Sequence, residues 1–292
     1  MDFKHISVLP KEVREAFSNL KKGSLIVDGT LGGGGHSKIL LNMGFKVVGI
    51  DRDEEALEAA KQNLKEFEGI TFVHGNFTDL KRILSDLNVK KVDGMLLDLG
   101  VSTHQLENKE RGFGFQGNLD MRMDKTQALT AEKIVNEWPA EKISEMLYRN
   151  GERVHNQQIA GSIARYRQNH RISTGGQLLK LVKFSMTERY RKSRKHHWAT
   201  PTFRALSIEV NGDYRNLGEI LKIFPEFLNK NGIFAAITFH SIEGGIVENH
   251  FERLKRDNKV KILAKSGIVA SKEEIETNPK SKRAVLWLAI RR

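Results

Sequence analysis

The sequence of 292 residues contains no cysteine and only five prolines. Without cysteine the chain has no disulfide framework, no thiol nucleophile and no thiolate metal site. No apolar run reaches about 18 residues, so no transmembrane helix is expected, and the first residues, MDFKHISVLPKEV, lack the apolar core of a signal peptide. No metal-ligand cluster stands out among the ten histidines. We therefore expect a cytoplasmic protein without a membrane partner and without a required metal.

Positive charge is abundant and concentrated. The net charge is +12, and the segment from Arg149 to His197 holds twelve Lys and Arg residues against two acids, Glu152 and Glu188. A solvated helical surface is the ordinary explanation of a charge run, but such a surface usually mixes both signs. The segment therefore favours a polyanionic partner, most simply a nucleic acid.

Strand and helix patterns alternate through the first hundred residues. Apolar strands are predicted at 25–28, 46–51, 70–75 and 92–100, and each of the first three is followed by a helical pattern, the second of them capped by Asp53. Continuous apolar strands that alternate with helices predict a parallel sheet covered on both faces. Ligands of such sheets bind beyond the carboxyl ends of the strands.

The alternation stops after about residue 100. A polar, glycine-rich stretch, in which Arg122 is expected to pair with Asp120 or Asp124, leads into helical patterns such as AEKISEMLYRNG and, after a Thr174/Gln177 capping box, GGQLLKLVKFSMTERYRK. Near residue 202 the α/β pattern resumes, with a bend expected at Pro225 and strands in GIFAAITFHS, KVKILAKS and RAVLWLAIRR. We predict an α/β domain at 1–110 and 200–292, interrupted at 111–199 by an inserted, all-helical, basic domain that recognises the substrate.

The glycine-rich turn in LIVDGTLGGGGHS follows a strand and opens a helix. Such a turn serves either a dinucleotide, whose pyrophosphate lies at the helix N-terminus, or S-adenosylmethionine, which carries an ammonium group and a sulfonium. Asp28 ends the first strand and would repel a pyrophosphate, so it favours the cationic cofactor. Asp51 fits both ligands, since each has ribose hydroxyls. A loop that only needs tight turns remains the structural alternative.

Two further strand ends lie where the same ligand would bind. Phe77, after the third strand, is either a contact of the adenine or an ordinary core aromatic. Asp98 ends the fourth strand, where its carboxylate would face the ligand crevice; its alternative role is a cap of a helix or turn.

Eight motifs follow one another along nearly the whole chain: HISVLPKEV, VDGTLGGGGHS, GIDRDEEAL, HGNFTDL, DGMLLDLGVSTHQLENKERGFGF, LDMRMD, TFRALSIEVN and FHSIE. In this order they resemble the bacterial 16S ribosomal RNA cytosine N4-methyltransferases of the MraW/RsmH type. LDLGVS followed by RGF and LDMRMD is highly specific, whereas the glycine loop alone is not. The resemblance implies a class I, Rossmann-like, S-adenosylmethionine-dependent methyltransferase sheet with an inserted helical domain.

The resemblance also implies transfer of a methyl group to the exocyclic amine of a cytidine in the decoding region of the small ribosomal subunit. Asp28 is added to the cofactor site from the charge argument. By motif, the cofactor contacts are Gly34, Gly35, His36, Asp51, Phe77, Asp98 and Gln105.

For the chemistry, the enzyme must align the amine with the methyl group and accept hydrogen bonds from the amine as it pyramidalises. Asp98, or a backbone carbonyl of DLGVS, is the expected acceptor, and no strong general base is needed. Phe113 and Phe115 are candidates for stacking on RNA bases, with burial against the insertion as the alternative. The candidate phosphate contacts are Arg165, Arg167, Arg189, Arg191, Lys192, Arg194 and Lys195.

Several alternatives stay open at this point. Gly33, Trp198, Pro201, Gly244 and Gly245 differ from what the family usually has, which is compatible with a paralogue that methylates a cytidine in another RNA. A nicotinamide-dependent oxidoreductase conflicts with Asp28, and a DNA amino-methyltransferase would carry a Pro-Pro-aromatic tetrad that is missing. A non-catalytic RNA-binding assembly factor would have lost the glycines and strand-end acids. Both a monomer and a homodimer are compatible with the sequence.

Overall fold

A computed structural model describes residues 7–292 of the chain. His5 and Ile6 of the first motif, like the rest of the segment 1–6, lie outside the described residues. The chain divides into two compact units: an α/β unit made of residues 7–100 and 214–292, and a helical unit that extends from Val101 to Asp213. The helical unit is longer at both ends than the insertion predicted at 111–199.

The elements are numbered in chain order. The strands are β1 (Leu25–Asp28), β2 (Lys46–Asp51), β3 (Ile70–His74), β4 (Val92–Asp98), β5 (Leu228–Thr238), β6 (Val260–Ile262), β7 (Ile268–Val269) and β8 (Val285–Arg291). The helices are α1 (Pro10–Phe17), α2 (Gly35–Asn42), α3 (Glu54–Asn63), α4 (Leu80–Asp86), α5 (Thr103–Glu107), α6 (Ala131–Glu137), α7 (Ala140–Arg149), α8 (Asn156–Tyr166), α9 (Gly175–Phe184), α10 (Glu188–Ser193), α11 (Thr200–Asn211), α12 (Asp213–Phe227), α13 (Ser241–Arg256) and α14 (Lys272–Thr277).

All eight strands form one sheet in the order β3-β2-β1-β4-β5-β8-β6, with β7 paired to β8. The first five strands are parallel, whereas β8 is antiparallel to β5 and to its other neighbours. A parallel sheet with one antiparallel strand placed beside β5 is the arrangement of class I methyltransferases. The predicted fold class is therefore confirmed.

Both faces of the sheet are covered by helices. Alternate residues point to opposite faces of a strand, and Val27 accordingly packs in the apolar cluster that contains α4, α12 and α13, while Ile26 packs in the cluster that contains α1, α2 and α3. Burial on both faces explains why these strands have continuous apolar sequences. The bounds predicted for β1 and β2 agree with the structure, and the Asp53 cap of α3 is present.

The second half of the α/β unit differs in detail from the sequence prediction. β5 begins at Leu228, four residues before the predicted strand, after a register shift next to Val92. α12 continues through Pro225 and ends two residues later. The sequence analysis did not predict α1 or the two-residue strand β7, both of which are too short for a clear periodic pattern.

The helical unit has its own apolar core, formed by residues of α6 to α9 and α11. Between Val101 and Asp213 the structure shows no strand, only an isolated bridge between Asn118 and Thr174. The predicted pairing of Arg122 with Asp120 is present as a two-bond contact, with two N–O distances of 2.8 Å.

Two predictions within the helical unit need correction. The stretch 175–192 forms two helices rather than one, because the Thr187 side chain accepts a hydrogen bond from the Tyr190 amide and starts α10 as a separate helix. α11 was assigned to the α/β domain, but Phe203, Leu206 and Val210 are buried in the core of the helical unit.

Candidate active site

The carboxyl ends of β1, β2 and β4 meet at one edge of the sheet, because these strands are parallel neighbours. The glycine-rich turn connects β1 to α2 at this edge. Its backbone is held by hydrogen bonds from Leu31 N to the Ile50 carbonyl and from Gly32 N to the Asp51 carboxylate. The turn is thus fastened to the neighbouring strand β2.

Gly34 requires the absence of a side chain. Its φ is +83°, a backbone conformation that L-residues with a Cβ rarely adopt, and a Cβ there would lie 2.6 Å from Leu64 Cδ1. Gly35 is the first residue of α2. The close approach at Gly34 is made by Leu64, directly after α3, so this glycine has a packing cause within the protein. The approach of the turn to a ligand stays a prediction.

Asp51, at the end of β2, holds the turn from the side. Its Oδ2 accepts a hydrogen bond from Gly32 N at 2.7 Å, and its Oδ1 accepts one from Asp53 N at 2.9 Å. Burial raises the pKa of the Asp51 carboxyl to about 6. The side chain is only partly buried, and each carboxylate oxygen retains a lone pair. Asp51 can therefore still accept hydrogen bonds from hydroxyl groups of a ligand.

Asp28, at the end of β1, is buried and bound within the protein. It is 1% exposed, its Oδ2 accepts a hydrogen bond from Ser37 Oγ at 2.7 Å, and its Oδ1 accepts one from Thr30 N at 3.3 Å. Burial raises the pKa of its carboxyl. Asp28 therefore fixes the turn to the start of α2, and its contact with the cofactor stays a prediction.

His36 lies between the turn and the end of β4. Its Nε2 is 2.8 Å from the Val8 carbonyl oxygen, which only accepts, so Nε2 carries a proton. Its Nδ1 is 3.5 Å from Asp98 Oδ2. Attraction between Nδ1 and the carboxylate requires a second proton on one of the two groups. His36 and Asp98 therefore form a coupled pair rather than two independent side chains.

Asp98 is the most distinctive acid of this edge. Its backbone N–H donates to Thr30 Oγ1 at 2.6 Å, and its Oδ2 faces His36. Its other carboxylate oxygen, Oδ1, is buried and has no hydrogen-bond partner among the described residues. Burial raises the pKa of the Asp98 carboxyl to about 6, in part offset by His36 and reinforced by Asp28. A buried oxygen without a donor is costly, and such groups in native structures call for a ligand or a functional role.

Phe77 and Gln105 have local structural roles in addition to the predicted cofactor contacts. Phe77 is 6% exposed and packs in the core cluster on one face of the sheet. Gln105, in the helical unit, is buried at the start of α5, where its Oε1 accepts from Ser102 N and its own N–H donates to Ser102 Oγ. The geometry does not test their contacts with a cofactor, which stay predictions.

The residues of this edge fit S-adenosylmethionine. The turn offers bare backbone, Asp51 offers acceptors for ribose hydroxyls, and Asp98 Oδ1 is an acceptor that lacks a donor. Sequence reasoning did not identify Thr30 and the Val8 carbonyl, which position Asp98 and His36. The Val8 contact spans 28 residues and leaves no local signal in the sequence.

The predicted RNA contacts differ in whether their charged groups already make contacts within the protein. Arg167 Nη1 donates to the Val135 carbonyl, and Arg191 Nη1 donates to the Lys183 and Met186 carbonyls, so both guanidinium groups have structural roles. Lys192 pairs with Glu188 at 2.7 Å. The remaining predicted contacts are exposed on the helical unit: Arg165, Arg189, Arg194 (which lies over the Tyr190 ring) and Lys195.

The two predicted stacking residues pack within the helical unit. Phe113 is 6% exposed and belongs to the core. Phe115 is partly buried, with its ring centroid 4.9 Å from that of Phe203 and 4.3 Å from that of His197. The described conformation thus agrees with burial for Phe113, the alternative considered for both rings, and leaves only Phe115 with partial access.

Two features bear on partners. Within residues 7–292 no group of three or more His, Cys, Asp or Glu side chains is arranged to hold a metal ion. No helix of that same range is long and apolar enough to cross a membrane.

Comparison with known proteins places this site in a family. The model of the MraW methylase family matches residues 2–292. A "Ribosomal RNA small subunit methyltransferase H" from Sulfurihydrogenibium sp. is 45% identical over 287 residues, covering 97% of each chain. A protein of the same name from Pseudothermotoga lettingae is 39% identical over 300 residues and covers 100% of both. A solved structure of an rRNA methylase from Streptococcus thermophilus covers 97% of this chain and 93% of that one, with 10% identity and a TM-score of 0.46. The chain belongs to the MraW methylase family and is a methyltransferase that uses S-adenosylmethionine.

Proposed function

We propose that this enzyme methylates the exocyclic N4 amine of a cytidine in the 16S RNA of the small ribosomal subunit, in its decoding region. The observation that carries the proposal is Asp98 Oδ1, a buried acceptor without a donor at the end of β4. The relatives' name, which specifies small-subunit ribosomal RNA, supports the choice of substrate.

The cofactor would be held by the edge of the sheet described above. The backbone of the glycine turn would lie against it, Asp51 would accept from its ribose hydroxyls, and His36 and Asp98 would border it on the side of β4. When bound, S-adenosylmethionine supplies an electrophilic methyl group on a sulfonium.

Asp98 would increase the nucleophilicity of the cytosine amine, whose weakness is the main difficulty of the reaction. The lone pair of a cytosine amine is delocalised into the ring, so the amine becomes a better nucleophile as it pyramidalises. An ionised Asp98 would accept a hydrogen bond from the amine through Oδ1 and favour that geometry, while His36 holds the carboxylate and Thr30 holds the Asp98 backbone. With its pKa at about 6, Asp98 is ionised at neutral pH.

The absence of cysteine selects the amine over the ring carbon. Methylation of cytosine at C5 proceeds through addition of a thiolate to C6, and none of the 292 residues is a cysteine. Methylation of the exocyclic amine needs no protein nucleophile, because the product ammonium is acidic enough to lose its proton to water. The composition therefore supports an amine as the acceptor.

The helical unit would bind the RNA backbone. Its exposed cations, including Arg165, Arg189 and Lys195, are suited to phosphate contacts, whose strength depends on salt. The target base must be unpaired or flipped to reach an acceptor at the sheet edge. This division assigns chemistry to the α/β unit and RNA affinity to the helical unit, in the cytoplasm, where ribosomal subunits are assembled.

The substrate is tested with labelled S-adenosylmethionine and ribosomal subunits from a strain that lacks this gene. We expect label in the RNA of the small subunit and none above background in large subunits or transfer RNA. Label only in another RNA would contradict the proposal and identify the enzyme as a paralogue with a different target.

A further inference from the structure

A cavity lies in the α/β unit beside the proposed site. Its volume is about 360 Å³, and it opens where β5 ends and β8 begins. None of the residues assigned to the cofactor or to Asp98 lines it. Its walls comprise Thr238, Phe239, His240, Ser241, Gly244, Gly245, Glu248, Arg283, Val285 and Trp287.

The cavity adjoins the end of β4 through the sheet. Asp98 is paired with Ile237 of β5, and the next residues, Thr238 and Phe239, already belong to the cavity wall. Neighbouring strands are about 4.8 Å apart. The cavity therefore begins one strand away from Asp98, at the same edge of the sheet, and extends towards β8.

Two glycines in the first turns of α13 keep the cavity open. A Cβ at Gly244 would lie 3.1 Å from Trp287 Cζ2, and a Cβ at Gly245 would meet nothing within 4 Å. Glycine inside a helix is less favourable than alanine. Gly244 thus lets the backbone of α13 pack closely on the indole of Trp287, and Gly245 leaves open space at the cavity wall.

The walls combine aromatic and charged groups. Trp287 is held in one orientation by a hydrogen bond from its Nε1 to Thr238 Oγ1 at 2.9 Å. Phe239 is partly buried, and the guanidinium of Arg283 and the carboxylate of Glu248 are exposed at the rim. Aromatic rings stack on nucleobases, guanidinium groups bind phosphates, and carboxylates accept from base amines.

We propose that this cavity binds a nucleotide of the RNA that is adjacent to the methylated cytidine. Its base enters beside Trp287 over Gly244 and Gly245, and its phosphate lies near Arg283. Flipping the target base removes a stacking partner from its neighbour, and the cavity compensates by taking up that neighbour. The inference rests on the proposed function, because it requires an RNA substrate.

The first test fills the cavity with one side chain. Gly245→Leu is compared with Gly218→Leu, an identical change in α12 at a helical glycine that also has no atom within 4 Å of a Cβ. Stacking is worth about 1–3 kcal/mol per base, so Gly245→Leu should raise KM for unmethylated small subunits by about tenfold. The Kd for S-adenosylmethionine, the melting temperature and the kinetics of Gly218→Leu should match the wild type within twofold. An unchanged KM in Gly245→Leu would overturn the inference.

The second test identifies the occupant. A photoreactive p-benzoylphenylalanine replaces Glu248 at the rim, or Glu219 in α12 as the control, and cross-linked small-subunit RNA is mapped by primer extension. We expect a cross-link within a few nucleotides of the methylated cytidine from position 248 only. A cross-link to a ribosomal protein, or to distant RNA, would refute the inference. Failure of the wild type to methylate small-subunit RNA would instead refute the proposed function, so the two failures are distinguishable.

Discussion

Asp98 is flanked by three residues of one segment, the β1–α2 turn with its two ends, which lies far from Asp98 in the sequence. Thr30 accepts its backbone N–H, His36 faces Oδ2, and Asp28 lies close enough to raise the pKa of the Asp98 carboxyl. This support leaves Oδ1 buried without a donor. Oδ1 is thus available to accept a hydrogen bond from a substrate amine, as expected for a preorganised site.

Asp98→Asn tests that role and keeps the shape of the side chain. We expect kcat to fall by about a hundredfold, because a positioned group of this kind contributes 10²–10⁴ to rate, and the Kd for S-adenosylmethionine measures separately any contact of Asp98 with the cofactor. In the wild type, kcat should rise with pH through about 6 as the Asp98 carboxyl ionises. Single-turnover rates between pH 5 and 8 check both statements, and a kcat that is independent of pH over this range would contradict them.

The same variant has an independent signature in stability. The folded-state pKa of Asp98 is raised from 3.8 to about 6, so its contribution to stability is present below pH 4 and is lost as pH rises through 6. The side chain in Asp98→Asn does not ionise, so at pH 8 the free energy of unfolding of this variant should exceed that of the wild type by up to about 3 kcal/mol. At pH 4 the two free energies should differ little. Asp51 also titrates near 6, but it is present in both proteins and cancels in the difference. Urea unfolding at the two pH values measures the effect.

At the scale of elements, the turn between β1 and α2 depends on Gly34 for two separate reasons. Its positive φ excludes most side chains, and Leu64 of the segment after α3 occupies the space of a Cβ. Gly23 provides a matched control, since its φ is +84° but nothing lies within 4 Å of its Cβ position.

In Gly23→Ala the free energy of unfolding should fall only by the cost of the left-handed conformation, about 1–2 kcal/mol. Gly34→Ala should lose that amount and, in addition, about 1–3 kcal/mol from the clash with Leu64. It should also weaken binding of S-adenosylmethionine, whereas Gly23→Ala should bind it normally. Denaturant unfolding and calorimetric titration compare the two variants. Equal losses of stability would contradict this prediction, because they would mean that Leu64 moves aside at no cost in free energy.

Elements with strong periodicity were predictable from the sequence. β1 and β2 have the expected bounds and α3 starts at its expected cap, Asp53, because buried parallel strands and capped helix starts leave local signals. The break between α9 and α10 was missed, since the Thr187 cap lies inside a stretch that continues to look helical. At the site, the sequence indicated Asp51 and Asp98, but the burial of Asp28 depends on Ser37 and on tertiary packing, which no local pattern encodes.

At the scale of the whole molecule, positive charge is distributed unequally between the units. The charge-rich segment lies within the helical unit, and its predicted phosphate contacts include groups that are exposed and groups already bound to backbone carbonyls. Only the exposed groups can exchange solvent ions for phosphates without loss of a structural contact. RNA affinity should therefore depend on a subset of the basic residues.

The triple variant Arg165→Ala, Arg189→Ala, Lys195→Ala tests this subset. Its control, Lys90→Ala, Lys91→Ala, Lys230→Ala, removes the same charge from exposed residues beside the starts of β4 and β5, at the opposite edge of the sheet from Asp98. The slope of log affinity for small-subunit RNA against log salt should fall by about 2 in the first variant and stay near the wild-type value in the control. Equal slopes in both variants would contradict this expectation, because RNA affinity would then depend on the total charge of the protein and not on the position of the charges. Both should keep the wild-type Kd for S-adenosylmethionine.

The central claim is that the enzyme methylates an exocyclic amine, with Asp98 as acceptor and no protein nucleophile. The most direct measurement is mass spectrometry of the nucleosides released from small-subunit RNA after reaction with the purified enzyme and labelled S-adenosylmethionine. We expect the label to appear as cytidine methylated at N4 and Asp98→Asn to reduce its yield. Label in 5-methylcytidine or in a 2′-O-methylated nucleoside would contradict the account.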